Sequence, residues 1–303
     1  MRVRILGAGA IGTTFAHRLA RAGAQVTLVA RGPRLEALRR AAGAIVTRDG
    51  LEARVAVSTE VDEPSISDDA LIVAVRAQSL EGALPIAARS RAPLVVFAVN
   101  AVGPLDAARR AVGAARGAWV FPAIVASLDD DGILDAHVVP RALRFAQITT
   151  VGALGSDEPL GLSELEATLE AAGIPTARAH DIEAWLTTHA AFMAPLMAAG
   201  ALAGPRGLTG DDARLVACAM HAGLSIGREA FSVEPSTLDL VARTPVALLA
   251  RTVATAFRLP ATRRALAAKE NRAEAKTLLA ALAELGHGSS AGDLDALRAR
   301  LDL

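Results

Sequence analysis

Gly7-Ala8-Gly9-Ala10-Ile11-Gly12 spaces three glycines as GxGxxG within the first dozen residues. That spacing suits the binding of a pyrophosphate. The first glycine permits a tight turn, the second lets the phosphates approach the backbone, and the third lets a helix pack closely on a strand. A helix starting there would also turn its amino-terminal N–H groups toward the phosphate charge. Three further positions carry side chains suited to such a ligand: Arg31, Arg76 and Asn100. Arg31 offers a planar, permanently charged fork that fits a phosphate, and it stands where an NAD site usually carries an acidic residue for the ribose hydroxyls. The combination points to NADP(H).

The elements that must position these residues are legible around them. Arg2 to Leu6 reads as a short buried strand, followed by a helix with Phe15, Leu19 and Ala22 on one face and a stop at Gly23. A second strand runs from Val26 to Ala30, so the glycine loop lies inside a strand–helix–strand unit of about 30 residues, the context that gives the motif meaning. Ile45 to Arg48 and Leu51 to Val57 flank Asp49-Gly50 and predict a hairpin. Ala70 to Val75 and Leu94 to Val99 are continuous apolar runs, as expected of strands covered on both faces. Ligands of doubly wound sheets bind beyond the carboxyl ends of the strands, which predicts Arg76 and Asn100 at the cofactor crevice. Segments 118–126 and 138–150 suggest further strands. A helix over 163–172 with Ser163 as N-cap and Glu166 three residues on precedes a last strand, Ile174 to Ala179.

Beyond residue 180 the alternation gives way to helical periodicity. Helices are predicted over about 182–203, 210–231, 235–257, 260–285 and 292–301, separated by glycine and proline. The expected fold is therefore α/β: a Rossmann-type doubly wound sheet over 1–180, then an all-helical substrate or dimerisation domain over 181–303.

Composition excludes several classes. The 303 residues carry 32 basic and 32 acidic side chains, so no basic field exists to hold a nucleic acid. The single cysteine, Cys218, rules out an internal disulfide and a cysteine-rich zinc site, and no metal is expected. The first apolar run ends in glycines, and the longest stretch, Ala190 to Pro205, falls short of the roughly 20 residues needed to cross a bilayer. A cytoplasmic protein acting on a small molecule is the expectation, with an apolar surplus in the helical half that suits a homodimer. Lysine occurs only at Lys269 and Lys276, and asparagine only at Asn100 and Asn271.

GAGAIG at the amino terminus, Arg31, VRAQ at 75–78, VNAVG at 99–103 and WLTTHAAFMAPL at 185–196 together resemble the ketopantoate reductase family, the NADPH-dependent 2-dehydropantoate 2-reductases and their paralogues. The resemblance implies reduction of a 2-oxo acid, ketopantoate or a related small carbonyl compound, by hydride transfer, as in pantothenate biosynthesis. It sets Asn100 on the family's asparagine and Arg76 where the family usually has lysine. The catalytic lysine that follows the family's tryptophan is missing. Aligned on Trp185 its place falls to Thr187, and aligned on Pro195-Leu196 to Leu186.

Hydride transfer to a ketone leaves an alkoxide that needs a proton. His189, one turn beyond Trp185, has the side chain best suited to a general acid near neutrality, and Thr187 could position a substrate oxygen. The family also places a glutamate on a late helix near the ribose and the substrate; Glu270 and Glu274 both fit, and the sequence does not separate them. Arg76 and Arg206 are candidate clamps for a substrate carboxylate. The alternative reading keeps the NADP(H) fold as a binding or sensing module without turnover.

Overall fold

Strands without polar alternation need cover on both faces, and the first half of the chain supplies it with helices. In the computed structural model, which describes residues 1–61, 67–140, 148–231, 238–266, 269–286 and 291–302, the chain divides into two compact units. One comprises Met1–Val99 with Asp106–Ile182, the other Asn100–Leu105 with Glu183–Leu303. The short segment after the apolar run at 94–99 thus belongs with the helices, an assignment that sequence periodicity does not reveal. Among the described residues no helix is long and apolar enough to cross a membrane.

The first unit begins with β1 (Arg2–Leu6), α1 (Ala10–Arg21), β2 (Gln25–Val29) and α2 (Gly32–Arg40). A small hairpin follows, β3 (Ala44–Val46) against β4 (Glu52–Arg54), then β5 (Ala56–Ser58), β6 (Ala70–Val73), α3 (Leu80–Ala88), β7 (Leu94–Phe97), α4 (Asp106–Val112) and β8 (Gly117–Phe121). A second small hairpin pairs β9 (Ile124–Leu128) with β10 (Leu134–Val138). The unit closes with β11 (Thr149–Ala153), α5 (Leu162–Ala171) and β12 (Thr176–Arg178). Eight strands form one sheet in the order β12-β11-β8-β7-β6-β1-β2-β5. All neighbours are parallel except β11 and β8. The order reverses at β1, with β2 on one side and β6 on the other, so this is a topological switch point. Leu6 pairs with both Val29 and Val73, which brings the ends of the three central strands level.

Val3, Ile5, Ile72, Leu94 and Val96 are fully buried with Phe15 and Leu19 of α1. Burying each such side chain contributes about 1.5–3 kcal/mol. Arg4 is an exception within β1. It is fully buried and donates from Nε to Asp68 Oδ2 at 2.6 Å and from a guanidinium nitrogen to the Glu60 carbonyl at 2.9 Å.

Three sequence expectations change here. The strand read over 51–57 is split: β4 stays in the hairpin and β5 crosses to pair with β2. Between them the Val55 N–H bonds to the carbonyl of Gly43, which sits in the left-handed region at φ 74°. The run over 118–126 breaks at Pro122, which lacks the N–H a continuing ladder needs, and β9 leaves for its own hairpin. The capping box of the helix over 163–172 does not form. The N-cap is Gly161, at φ 87°, because the Ser163 hydroxyl donates to Glu158 and Glu166 is held by Arg178. Of the segment read as strand over 138–150, residues 141–147 lie outside the described residues.

The second unit holds α6 (Ile182–Leu202), whose first residue belongs to the sheet unit, then α7 (Gly210–Ala230), α8 (Leu238–Arg243), α9 (Val246–Ala256), α10 (Pro260–Leu266), α11 (Lys269–Leu285) and α12 (Ala291–Arg300). The helix expected over 235–257 is interrupted at Pro245, the N-cap of α9, while residues 232–237 lie outside the described ones. Alanines let α6 and α7 approach closely: a Cβ on Gly223 would lie 3.1 Å from that of Ala191. Thr209 caps α7 through the Asp212 N–H, and Arg300 of α12 pairs with Asp212 at 2.9 Å.

Candidate functional site

The glycine loop occupies the switch point of the sheet unit, and its three glycines serve different ends. A Cβ on Gly7, at φ 114°, would stand 2.2 Å from the Ala74 carbonyl oxygen, and one on Gly12 would stand 1.9 Å from the Gly7 carbonyl oxygen. Both are imposed by the protein's own backbone, which packs the loop against the end of β6. A Cβ on Gly9 would meet nothing within 4 Å, and Gly9 has an extended backbone that any residue adopts. No packing among the described residues requires a glycine there, whereas a phosphate resting on the loop would.

Ala8, Ala10 and Ile11 complete the turn into α1, whose N-cap makes no side-chain hydrogen bond and whose first turn holds no acid. Uncapped N–H groups and the helix dipole there favour an anion. These observations fit a dinucleotide. The loop would hold its pyrophosphate, and the group would bring a hydride-donating nicotinamide.

Arg31 ends the β2 segment as N-cap of α2. It is exposed and makes no hydrogen bond or ion pair among the described residues. Arg76 is exposed just beyond β6, where the Ala74 carbonyl adjoins Gly7. Both arginines thus follow strands that flank β1.

The helical unit contains the remaining candidates. Asn100 donates from Nδ2 to Glu274 Oε1 at 2.6 Å, and Glu274 is 3% exposed. This contact engages Glu274; the side chains of Glu270 and Lys269 lie outside the described ones. The other asparagine, Asn271, donates to the Leu266 carbonyl. Lys276 is paired with Asp302, and Arg206 is exposed in a turn.

Thr187 is fully buried, and its hydroxyl oxygen accepts the Gly103 N–H at 3.0 Å. That gives it a different occupation from positioning a substrate oxygen. Four residues earlier on α6, Glu183 accepts the Leu105 N–H, an interaction that no sequence signal announced. His189 stacks on Trp185 with ring centroids 5.0 Å apart and planes 4° from parallel. Burial pushes its imidazole down to about 3, so it is neutral at physiological pH. The expectation that an imidazolium there delivers the proton conflicts with this environment, because burial penalises the charged form.

A Rossmann-type sheet with a glycine loop at its switch point, joined to an all-helical unit, defines the class of the protein. Residues 3–146, just under half of the chain, match the model of the ketopantoate reductase family PanE/ApbA. No curated protein matches its sequence. Among solved structures it is similar to the PanE/ApbA family ketopantoate reductase of Ralstonia eutropha JMP134, with a TM-score of 0.77 at 19% identity, over 100% of this chain and 97% of that one. D-mandelate dehydrogenase in complex with NADH and anilino(oxo)acetate gives 0.74 at 16%, over 100% and 97%. The 2-dehydropantoate 2-reductase of Geobacter metallireducens GS-15 gives 0.73 at 17%, over 100% and 99%. At these identities the likeness is one of fold.

Proposed function

We propose that the chain is an NADPH-dependent oxidoreductase that reduces a 2-oxo acid, ketopantoate or a related small carbonyl compound, to the 2-hydroxy acid. The observation that carries the reading is the Asn100–Glu274 hydrogen bond. It joins the residue matching the family's asparagine to a buried carboxyl on a late helix, where the resemblance calls for a glutamate. When bound, the nicotinamide supplies the hydride that reaches the carbonyl carbon.

The protein's own part is to hold and to protonate. Gly7, Ala8, Gly9, Ala10, Ile11 and Gly12 seat the pyrophosphate, and Arg31 takes the 2′-phosphate that distinguishes NADPH from NADH. Asn100 fixes the Glu274 carboxyl, which relays a proton from solvent to the oxygen as the carbonyl becomes an alcohol. Arg76, by virtue of its charge, is assigned to the cofactor or to the substrate carboxylate. Burial keeps the His189 imidazole neutral at pH 7, which disfavours it as the proton donor.

One observation favours a second reading, a cofactor-binding member without turnover. The family's lysine has no counterpart on α6, and Lys276 is engaged by Asp302. NADPH oxidation by the purified protein decides between them, with ketopantoate and a panel of 2-oxo acids as substrates and NADH in parallel. Turnover faster with NADPH than NADH supports the enzyme. Tight NADPH binding without turnover on any of these substrates supports the binding module.

A further inference from the structure

Between β7 and α4 the chain makes a short excursion, Asn100-Ala101-Val102-Gly103-Pro104-Leu105, that belongs to the helical unit. Its last three residues have only two N–H groups, since Pro104 has none. Both are taken by side chains of α6. Gly103 donates to Thr187 Oγ1 at 3.0 Å and Leu105 donates to Glu183 Oε1. Glu183 and Thr187 are four apart and so share one helix face. Gly103 stands at φ 75°, a left-handed conformation that presents its N–H at little steric cost only because it is glycine. At the other end of the excursion, Asn100 reaches Glu274 on α11.

We infer that Glu183 and Thr187 are positioning residues. They clamp the backbone at Gly103 and Leu105 so that the Asn100 carboxamide is held on Glu274. The clamp rests on the proposed role of the Asn100–Glu274 pair, but its geometry exists whether or not the chain turns over a substrate. It also accounts for a threonine at the position given up by the family's lysine in the Trp185 alignment. A buried hydroxyl accepts a backbone N–H there, where an ammonium could only repel it.

The scarcity of asparagine makes the test direct. Protein labelled with 15N in the asparagine side-chain amide has two NH2 groups, Asn100 and Asn271. Thr187→Val removes the acceptor at nearly constant volume, and Thr187→Ser restores it. The expected result is a shifted Asn100 NH2 signal in Thr187→Val with Asn271 unmoved, and a wild-type Asn100 signal in Thr187→Ser. With a turned-over substrate, kcat falls tenfold or more in Thr187→Val while KM for NADPH stays within twofold, and Thr187→Ser recovers it. Faster amide exchange at Gly103 with an unmoved Asn100 signal overturns the proposal, because Thr187 would then only fasten its own neighbour. Should Thr187→Val fail to fold, Glu183→Ala reads the same two signals through Leu105. Absence of turnover in the wild-type protein would defeat the enzymatic reading alone; the NMR signals still decide the clamp.

Discussion

Asn100 and Glu274 lie 174 positions apart in the chain and 2.6 Å apart at the Nδ2–Oε1 contact. A donor amide against a carboxyl that is 3% exposed fixes the orientation of that carboxyl. Glu274→Gln keeps an oxygen that accepts from Asn100 but has no proton to give. The expected outcome is a loss of at least 100-fold in kcat with NADPH affinity within twofold, measured by steady-state kinetics and fluorescence titration. A proton donor contributes about 10²–10⁴-fold; full activity in Glu274→Gln would remove Glu274 from the chemistry.

Gly9 and Gly12 separate ligand binding from folding. Gly9→Ala places its methyl in open space, so stability should stay within about 0.5 kcal/mol of wild type, while NADPH binding weakens tenfold or more. Gly12→Ala sets its methyl 1.9 Å from a carbonyl oxygen and should unfold the sheet unit. Thermal melts with and without NADPH distinguish the two. Equal tight binding by Gly9→Ala and wild type would contradict the phosphate seat.

Arg31 is exposed without a partner among the described residues, so its removal costs the fold little. Hydrogen bonds to a charged group contribute about 1.5–3 kcal/mol, which makes the expected change in cofactor preference roughly 10- to 100-fold. Arg31→Ala should therefore lose NADPH affinity by that factor and leave NADH affinity unchanged. A parallel loss with both cofactors would assign Arg31 to something other than the 2′-phosphate.

His189 gives a pH signature in stability. Its folded value of about 3 lies below the ordinary 6.5 because of burial, so the unfolded chain takes up the proton first as pH falls. The stabilisation is complete above about pH 6.5 and is lost between there and pH 3, at about 1.4 kcal/mol per pH unit. His189→Gln should flatten this part of the stability curve relative to wild type in urea melts at pH 4 to 7. Identical slopes would mean that His189 is as easily protonated in the folded protein as in the unfolded one. On the same grounds, the kinetic pH profile between 5 and 8 should carry no His189 titration.

The two halves of the molecule differ in how far they can be read from the chain. Local chemistry determined the glycine loop, the apolar strands at 70–73 and 94–97, and the change to helices after residue 180. A parallel strand covered on both faces is largely apolar, and the turn at Gly7 and Gly12 leaves no room for a Cβ. The boundaries at Pro122 and Pro245 run against the periodicity around them, which predicts an unbroken strand over 118–126 and an unbroken helix over 235–257. The capping box at Ser163 fails as well, because Arg178 and Glu158, neighbours brought in by the fold, competed for both of its side chains.

What the sequence could not supply is any contact whose partners meet only through packing. Glu274 and Glu270 have the same composition and helical context, and only the meeting with Asn100 distinguishes Glu274. His189 has the residue type of a general acid, yet its charge state depends on how much water and how many dipoles surround it. Thr187 looks like surface until Gly103 arrives to use its hydroxyl. The sequence by itself determined that a glycine loop and a helical unit are present, because those rest on backbone geometry within a few residues. Tertiary structure alone decided which carboxyl meets the asparagine, because hydrogen bonding and desolvation depend on neighbours far away in the chain.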